Sequence, residues 1–497
     1  MADQHHRRAT LNTTVLLATG IALEATIAYR AATQSITYDE AATYLKFLQG
    51  SLTDPFRQFD ASNHVLFTAL ARGSIGAFGV SQFSLRLPSV IGAGAFFVAL
   101  ALVCRRVFGF GIMPILAAAT VALDPFVLDF MSAARGYGLA FSLLTIALYC
   151  LTLALDDDPA RRPVRWGAAS VALGLSVSSQ LTFAFPAVGL AVTAALVSVM
   201  RDAFGRRSVR DVLWLLGPGA VVVATIMVIP LGNAPPSAFN WGAQRLARSV
   251  ASVMQPVFDH RAPDWACTGP VPSERVPIVA AVICVALTVL IAGALCVVFR
   301  RGAEDRPTRS VLARFTLLMA GSLLLTVVQI LVSHVALGFR YPEGRTGLYL
   351  LLLFPLATSS AVAVLFESPS TKIAGRVGAV LLGLVSVWFV SESTLTYFYE
   401  WRFDAGTRRI VEMLVDRAGR SGRPVRVWAE DLEPSISFYR IVEHSDAIGR
   451  MPNAGTPPTP SYDFFVACSS SERELTMRLG RSIYVDPVSA AVLIERR

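Results

Sequence analysis

Twelve apolar runs, each near bilayer-crossing length, dominate this chain. They lie at 11–32, 63–80, 84–104, 112–131, 136–155, 166–184, 185–200, 212–231, 276–299, 315–337, 347–366 and 377–396. A crossing helix needs about 20 apolar residues, and in hydrocarbon every backbone amide must be paired within the protein. Only 16% of the 497 residues are charged and 54% are hydrophobic, whereas soluble domains carry about 25% charged residues. The pattern predicts a polytopic α-helical membrane protein with about 11–13 transmembrane helices. The first run does not read as a cleaved signal peptide, because it lacks a small-residue cleavage site and Asp39 follows almost at once.

Arginine placement predicts the orientation. His5-His6-Arg7-Arg8 puts the N-terminus in the cytoplasm. Inner loops are marked by Arg161, Arg162 and Arg165, by Arg201, Arg206, Arg207 and Arg210, by Arg300, Arg301, Arg306, Arg309 and Arg314, and by Lys372 with Arg376. Loops 32–62, 232–275 and 338–346 then face outward with the tail, as in a multi-pass protein of the inner (plasma) membrane. The parity does not close. Four runs separate outer Asp39 from inner Arg161, where an odd number is required, so one of them is expected to be re-entrant or tilted. The formal charge of +9 follows the same arginine distribution, with no solvated basic block, and no nucleic-acid partner is expected. Lysine is nearly absent (Lys46 and Lys372), which reads as a codon bias.

Two regions are not lipid-embedded. Loop 232–275, with Pro235-Pro236, Trp241 and Trp265, is expected to form a partly helical cap over the outer face. The tail alternates helical patterns (404–419, 433–442, 472–479) with strand-like ones (425–428, 462–466, 482–494), which predicts a small α/β domain. The division is 1–400 for the membrane domain and 401–497 for an extracytoplasmic accessory domain. Cys104, Cys150, Cys284 and Cys296 read as small core residues; Cys267 and Cys468 lie in outer segments where they can pair.

Chemistry-bearing residues gather in the outer loops. Asp39-Glu40 opens a polar connection running from Tyr38 to Asn63. A carboxylate at a low-dielectric rim is expected to have a raised pKa and to take a proton from a hydroxyl. The same pair also reads as the start of a short surface helix, and both readings can hold together. His64 opens the next run, either to bind phosphate or sugar, to ligate a metal, or simply to cap a helix. Asp60 is a second acid or a solvated loop residue. Arg135, in Ala133-Ala134-Arg135-Gly136-Tyr137-Gly138, needs an anion, a watery cavity or lipid head groups. A phosphate suits its bidentate, permanently charged fork. Arg340-Tyr341-Pro342-Glu343-Gly344-Arg345-Thr346 puts two arginines in a short outer loop, against the charge bias, to meet substrate or lipid head groups. Glu24, inside the first run, has no assigned role.

Taken in order, these elements resemble the GT-C superfamily of integral-membrane glycosyltransferases, in the bacterial branch related to protein mannosyltransferases and the lipid A aminoarabinose transferase. The elements are the acid pair, Asn63-His64, Arg86-Leu87-Pro88-Ser89, Ala134-Arg135-Gly136-Tyr137 and Arg340-Tyr341-Pro342 with Gly344-Arg345-Thr346. The resemblance implies inverting transfer of a sugar from a polyprenyl-phosphate donor to an envelope acceptor. Asp39 would be the general base, with Glu40 orienting the acceptor or tuning Asp39. Arg345, with Arg340 and Arg135, would hold the lipid phosphate; His64, Tyr137 and Tyr341 would complete the substrate site. Two departures stand out. Relatives often carry an acid where Ser132 and Ala133 stand, and His64-Val65-Leu66 replaces His-Pro-Pro-Leu. The first weakens any divalent-metal proposal: a divalent metal is possible but unsupported, no cofactor is certain, and arginines can in principle meet the charge of a lipid-phosphate leaving group without a metal. A secondary transporter or lipid flippase, or a non-catalytic subunit of an envelope complex, are the competing classes; the former places ionisable groups near the bilayer midplane.

Overall fold

A computed structural model describes residues 2–497 except 58, 61, 157–160, 203–204, 236–238, 240, 262–274, 305–309, 444–445 and 453–455. Among the described residues eight helices are long and apolar enough to cross a membrane, or nine if one bent pair counts as a span. They include α1 (Ala2–Thr33), with α2 (Tyr38–Thr43) and α3 (Val65–Phe78) following before the next long helix, α4 (Gln82–Phe108). The bent pair is α5 (Ile112–Ala122) and α6 (Pro125–Ser132), which meet at 61°. The break is written locally: the Asp124 side chain accepts from the amides of Phe126 and Val127, and Pro125 occupies the first helical position. Then come α7 (Gly136–Asp156), α8 (Arg162–Ser179), α9 (Ala184–Asp202) and α10 (Arg206–Gly232). Helices α8 and α10 touch backbone to backbone at Gly174 and Gly219, where a Cβ on either would strike the other helix.

The parity problem resolves at α3. Its 14 residues reach only about 21 Å, short of the roughly 30 Å hydrocarbon core. Its start lies beside the α7 entrance, with His64 Nδ1 3.0 Å from Gln180 Oε1 at the end of α8. Its far end leads directly into α4, whose first residue donates from Gln82 Nε2 to the carbonyl of Ala32 at 2.5 Å. Both ends therefore sit at the same end of the bundle, with Asp39. The other three runs join this end of the bundle to the opposite one, the second of them through the 61° bend. At the opposite end Asn12 donates to the Gly111 carbonyl at 2.5 Å, and Arg106 and Arg314 both pair with Asp156. The arginine-marked loops thus share one end of the bundle, and the acid pair occupies the other.

Loop 232–275 contributes α11 (Leu246–Phe258), whose Val253 and Val257 are buried. It lies against the 338–346 loop through Ser249 Oγ to the Pro342 carbonyl at 2.5 Å and a backbone bridge between Ala243 and Tyr341. Trp265 and Cys267 lie outside the described residues. The bundle closes with α12 (Arg275–Glu304), α13 (Val311–Leu337), α14 (Leu350–Glu367) and α15 (Lys372–Glu392).

The tail folds as α16 (Thr407–Ser421), β1 (Val427–Ala429), α17 (Glu433–Val442), β2 (Phe464–Cys468), α18 (Ser469–Arg478), β3 (Gly480–Val485) and β4 (Ala491–Arg496). The sheet order is β1-β2-β4-β3, with β1 and β2 parallel and the other pairings antiparallel. One apolar cluster joins this tail to the bundle: Ile410, Leu414, Phe438 and Tyr439 pack with Ile36, Tyr44, Phe67 and Ala134. Tyr439 Oη accepts from the Ile36 amide and donates to Gln82 Oε1, each at 2.9 Å.

Candidate active site

The acid pair splits between two environments because consecutive helical residues point about 100° apart. Thr37 caps α2, accepting from the Glu40 amide at 3.3 Å, while Glu40 Oε2 accepts from the Thr37 amide at 2.8 Å. This reciprocal box satisfies two orphan donors of the helix start. Glu40 is wholly buried and meets Arg86 through a two-pronged pair, Nε to Oε1 at 2.8 Å and Nη2 to Oε2 at 2.7 Å. The Ala134 amide also donates to it. Arg86 in turn donates to the carbonyls of Ala31, Gln34 and Ser35. Glu40 therefore ties α1, α2, α4 and the turn before α7 together, and both of its oxygens are engaged there.

Asp39 turns the other way. Its Oδ2 is 2.9 Å from Arg345 Nη1, 3.8 Å from Arg135 Nη2, and accepts from Trp401 Nε1 at 3.2 Å. Arg345 arrives on the 3₁₀ turn Gly344–Gly347, which Glu343 and Thr346 box, and Gly344 takes a φ of +51° to make the corner. Glu400 holds the same arginine twice: Oε2 lies 2.8 Å from Nη1, and Oε1 accepts the Arg345 amide at 2.9 Å. The guanidinium also lies over the rings of Trp401 and Trp241, at 5.5 and 5.9 Å from their centroids. Arg135 reaches in from the turn between α6 and α7, donating from Nη1 to Thr43 Oγ1 at 3.1 Å and more weakly to the carbonyls of Asp39 and Ser62.

His64 and Tyr137 back this cluster, ring edge to face with centroids 5.1 Å apart. Both are buried. Gln180 engages His64 Nδ1, and Nε2 has no hydrogen-bond partner among the described residues. Arg340 and Tyr341 are elsewhere: Arg340 is exposed, and Tyr341 stacks on His334 at 3.9 Å and bridges to Ala243. Asp60 pairs with Lys46 at 3.8 Å and with the Ser62 amide. Among the described residues no three His, Cys, Asp or Glu side chains gather as a metal site would need.

The electrostatics reverse one expectation. Burial alone pushes the Asp39 carboxyl up, but Arg345 and Arg135, helped by the Trp401 hydrogen bond, outweigh it and hold the pKa at about 2. Desolvation at the rim is outweighed by cations that the fold brings in from residues 135 and 345. Burial pushes Glu400 up, with Arg345 opposing. His64 is driven well below its usual range by burial and then by Arg135 and Arg345, so it is neutral.

Sequence reasoning missed Glu400 and Trp401, and it met Arg86 only as part of a motif. The signal for the first two was present: an acid within the aromatic run Tyr397-Phe398-Tyr399-Glu400-Trp401 directly after the last long helix. That run is anchored, not a free linker. The Tyr399 amide donates to Asp129 Oδ2 at 2.6 Å, and Asp129 also meets Arg30 at 2.5 Å and His260 Nε2 at 3.0 Å. Five residues on, Asp404 Oδ2 accepts the Tyr38 amide at 2.6 Å.

No family model matches the chain, and no curated protein matches it in sequence. Solved structures overlay on most of its length. ArnT from Cupriavidus metallidurans bound to undecaprenyl phosphate is 13% identical, with 98% of each chain covered and a TM-score of 0.49. The oligosaccharyltransferase AglB from Archaeoglobus fulgidus, in complex with an inhibitory peptide and a dolichol-phosphate, is 12% identical over 97% of this chain and 74% of its own, at 0.43. The arabinofuranosyltransferase AftD from Mycobacteria is 16% identical over 91% of this chain and 36% of its own, at 0.46. These are distant likenesses, and the functional reading rests on the geometry of the site.

Proposed function

We propose that the chain is a membrane glycosyltransferase of the GT-C type, moving a sugar from a polyprenyl-phosphate donor to a hydroxyl of an envelope glycan, lipid or protein. The observation that carries this reading is one carboxylate, Asp39, lying 2.9 Å from Arg345 and 3.8 Å from Arg135. Such a cluster combines a proton acceptor with two permanent cations suited to a phosphate. It occupies the bundle end opposite the arginine-rich loops, which the charge bias makes the outer face.

In this scheme the acceptor oxygen attacks the anomeric carbon as its proton passes to Asp39. The bond from that carbon to the phosphate oxygen breaks, and its electron pair leaves on the polyprenyl phosphate. Arg345 and Arg135 stabilise the charge growing there. A single displacement with a base on the acceptor inverts the anomeric centre; retention would need a second carboxylate placed as nucleophile. Glu40, locked onto Arg86, positions Asp39 without touching substrate. His64 and Tyr137 line the sugar side. The leaving phosphate is met by guanidiniums, so the chemistry has no step that calls for a metal.

Mass spectrometry of envelope glycans tests the reading. Deletion of the gene removes one sugar modification, the wild-type chain restores it, and Asp39→Asn does not, although it reaches the membrane in equal amount. Restoration by Asp39→Asn would instead mark a transport or scaffolding role.

A further inference from the structure

One nitrogen, Arg345 Nη1, serves two carboxylates: it is 2.9 Å from Asp39 Oδ2 and 2.8 Å from Glu400 Oε2. The two arms differ. Glu400 has a second bond to the same residue, from the Arg345 amide to Oε1 at 2.9 Å. The segment that carries it is pinned on both sides, by the Tyr399 amide donating to Asp129 and by the Asp404 carboxylate accepting from the Tyr38 amide. Asp39 has a single prong on Arg345 and a longer contact with Arg135. An anion entering beside Arg345 can therefore displace Asp39 at the loss of one short bond, but not Glu400.

Resting on the functional reading above, we propose that the donor phosphate enters by ligand exchange: it takes Asp39's place on Arg345, while Glu400 acts as the fixed arm that keeps the guanidinium aimed at the site. Glu400 is then a positioning residue. The exchange also orders the reaction. While Arg345 lies 2.9 Å from Oδ2, the neighbouring cation favours the ionised form of Asp39 and makes it a weak base; once the phosphate has drawn Arg345 away, the carboxylate becomes more basic and can serve the acceptor. The base is released only when a donor is present, which keeps the empty site from taking up a proton.

The test uses sugar-free undecaprenyl phosphate and the full-length chain in lipid nanodiscs, with binding followed by calorimetry. Asp39→Asn removes the competitor and should bind the lipid about tenfold more tightly than wild type. Glu400→Gln removes an equal charge from the same nitrogen, yet should bind no more tightly than wild type, because the arginine loses its anchor. Asp39→Ser repeats the first arm should the asparagine form fold poorly. Equal tightening by both substitutions would reduce the effect to net charge and overturn the exchange. So would weaker binding by Asp39→Asn. If wild type itself failed to bind the lipid, the functional reading would fall as well, an outcome distinct from the other two.

Discussion

Glu40→Gln separates a structural acid from a catalytic one. The substitution keeps size and shape but removes the charge facing Arg86, and both side chains are fully buried. Arg86 would keep three backbone carbonyls and one amide oxygen, while the new NH₂ would confront two donors, Arg86 Nη2 and the Thr37 amide in one orientation or Arg86 Nε and the Ala134 amide in the other. Removing one partner of a buried ion pair typically costs about 3–5 kcal/mol, because the remaining charge is left uncompensated. The lower part of that range fits here, since the carbonyls still solvate the guanidinium; we expect about 3 kcal/mol. Thermal unfolding in detergent, read by tryptophan fluorescence, should show the midpoint falling by several degrees. Pairing Glu40→Leu with Arg86→Met should recover much of the loss, as a double-mutant cycle would reveal. A Glu40→Gln protein with wild-type stability and lost sugar transfer would refute this reasoning and return Glu40 to the chemistry.

Other outcomes follow from the same geometry. Arg345→Lys replaces a fork with a point charge that cannot hold Glu400 and a phosphate together, and should lower the transfer rate about 100-fold in a lipid-donor assay. Asp39 is held at about 2, below its ordinary 3.8, so its contribution to stability is complete above about pH 4 and disappears as pH falls through about 2. Thermal midpoints measured from pH 5 downward should show that loss in wild type and not in Asp39→Asn. With the native cysteines removed, Tyr38→Cys and Val80→Cys should react with an impermeant maleimide from the same side of the membrane, and Arg161→Cys from the other; labelling of Val80→Cys from the Arg161 side would put α3 back across the bilayer.

Much of this architecture was legible because hydrocarbon imposes a simple code. Apolar length gave the helices, and arginine placement sorted the loops onto two ends. The helix Glu433–Val442 and the strands on either side of it were readable from period alone. The fate of α3 was not, because its run has 18 residues only when the Gly79-Val80 exit is counted, and its orientation depends on Gln82 meeting Ala32. In the site, Asp39, Arg135 and Arg345 were visible as charges where charge is costly. The pairing of Glu40 with Arg86 was not legible for a physical reason: the arginine lies 46 positions away, and adjacency in sequence says nothing about which way a side chain turns. Arg340 resembled Arg345 on the same loop, but the corner at Gly344 aims only the second inward. Glu400 and Trp401 escaped because they lie where the membrane pattern ends and the tail begins.

The most direct measurement puts the purified chain into proteoliposomes with polyprenyl-phosphate sugars extracted from the membranes of its source, and follows free polyprenyl phosphate by mass spectrometry. Wild type should release it in step with glycosylation of an added acceptor fraction, while Asp39→Asn should retain the lipid and release none. Release by Asp39→Asn at the wild-type rate would show that the carboxylate does not take the proton, and the proposed reaction would have to be abandoned.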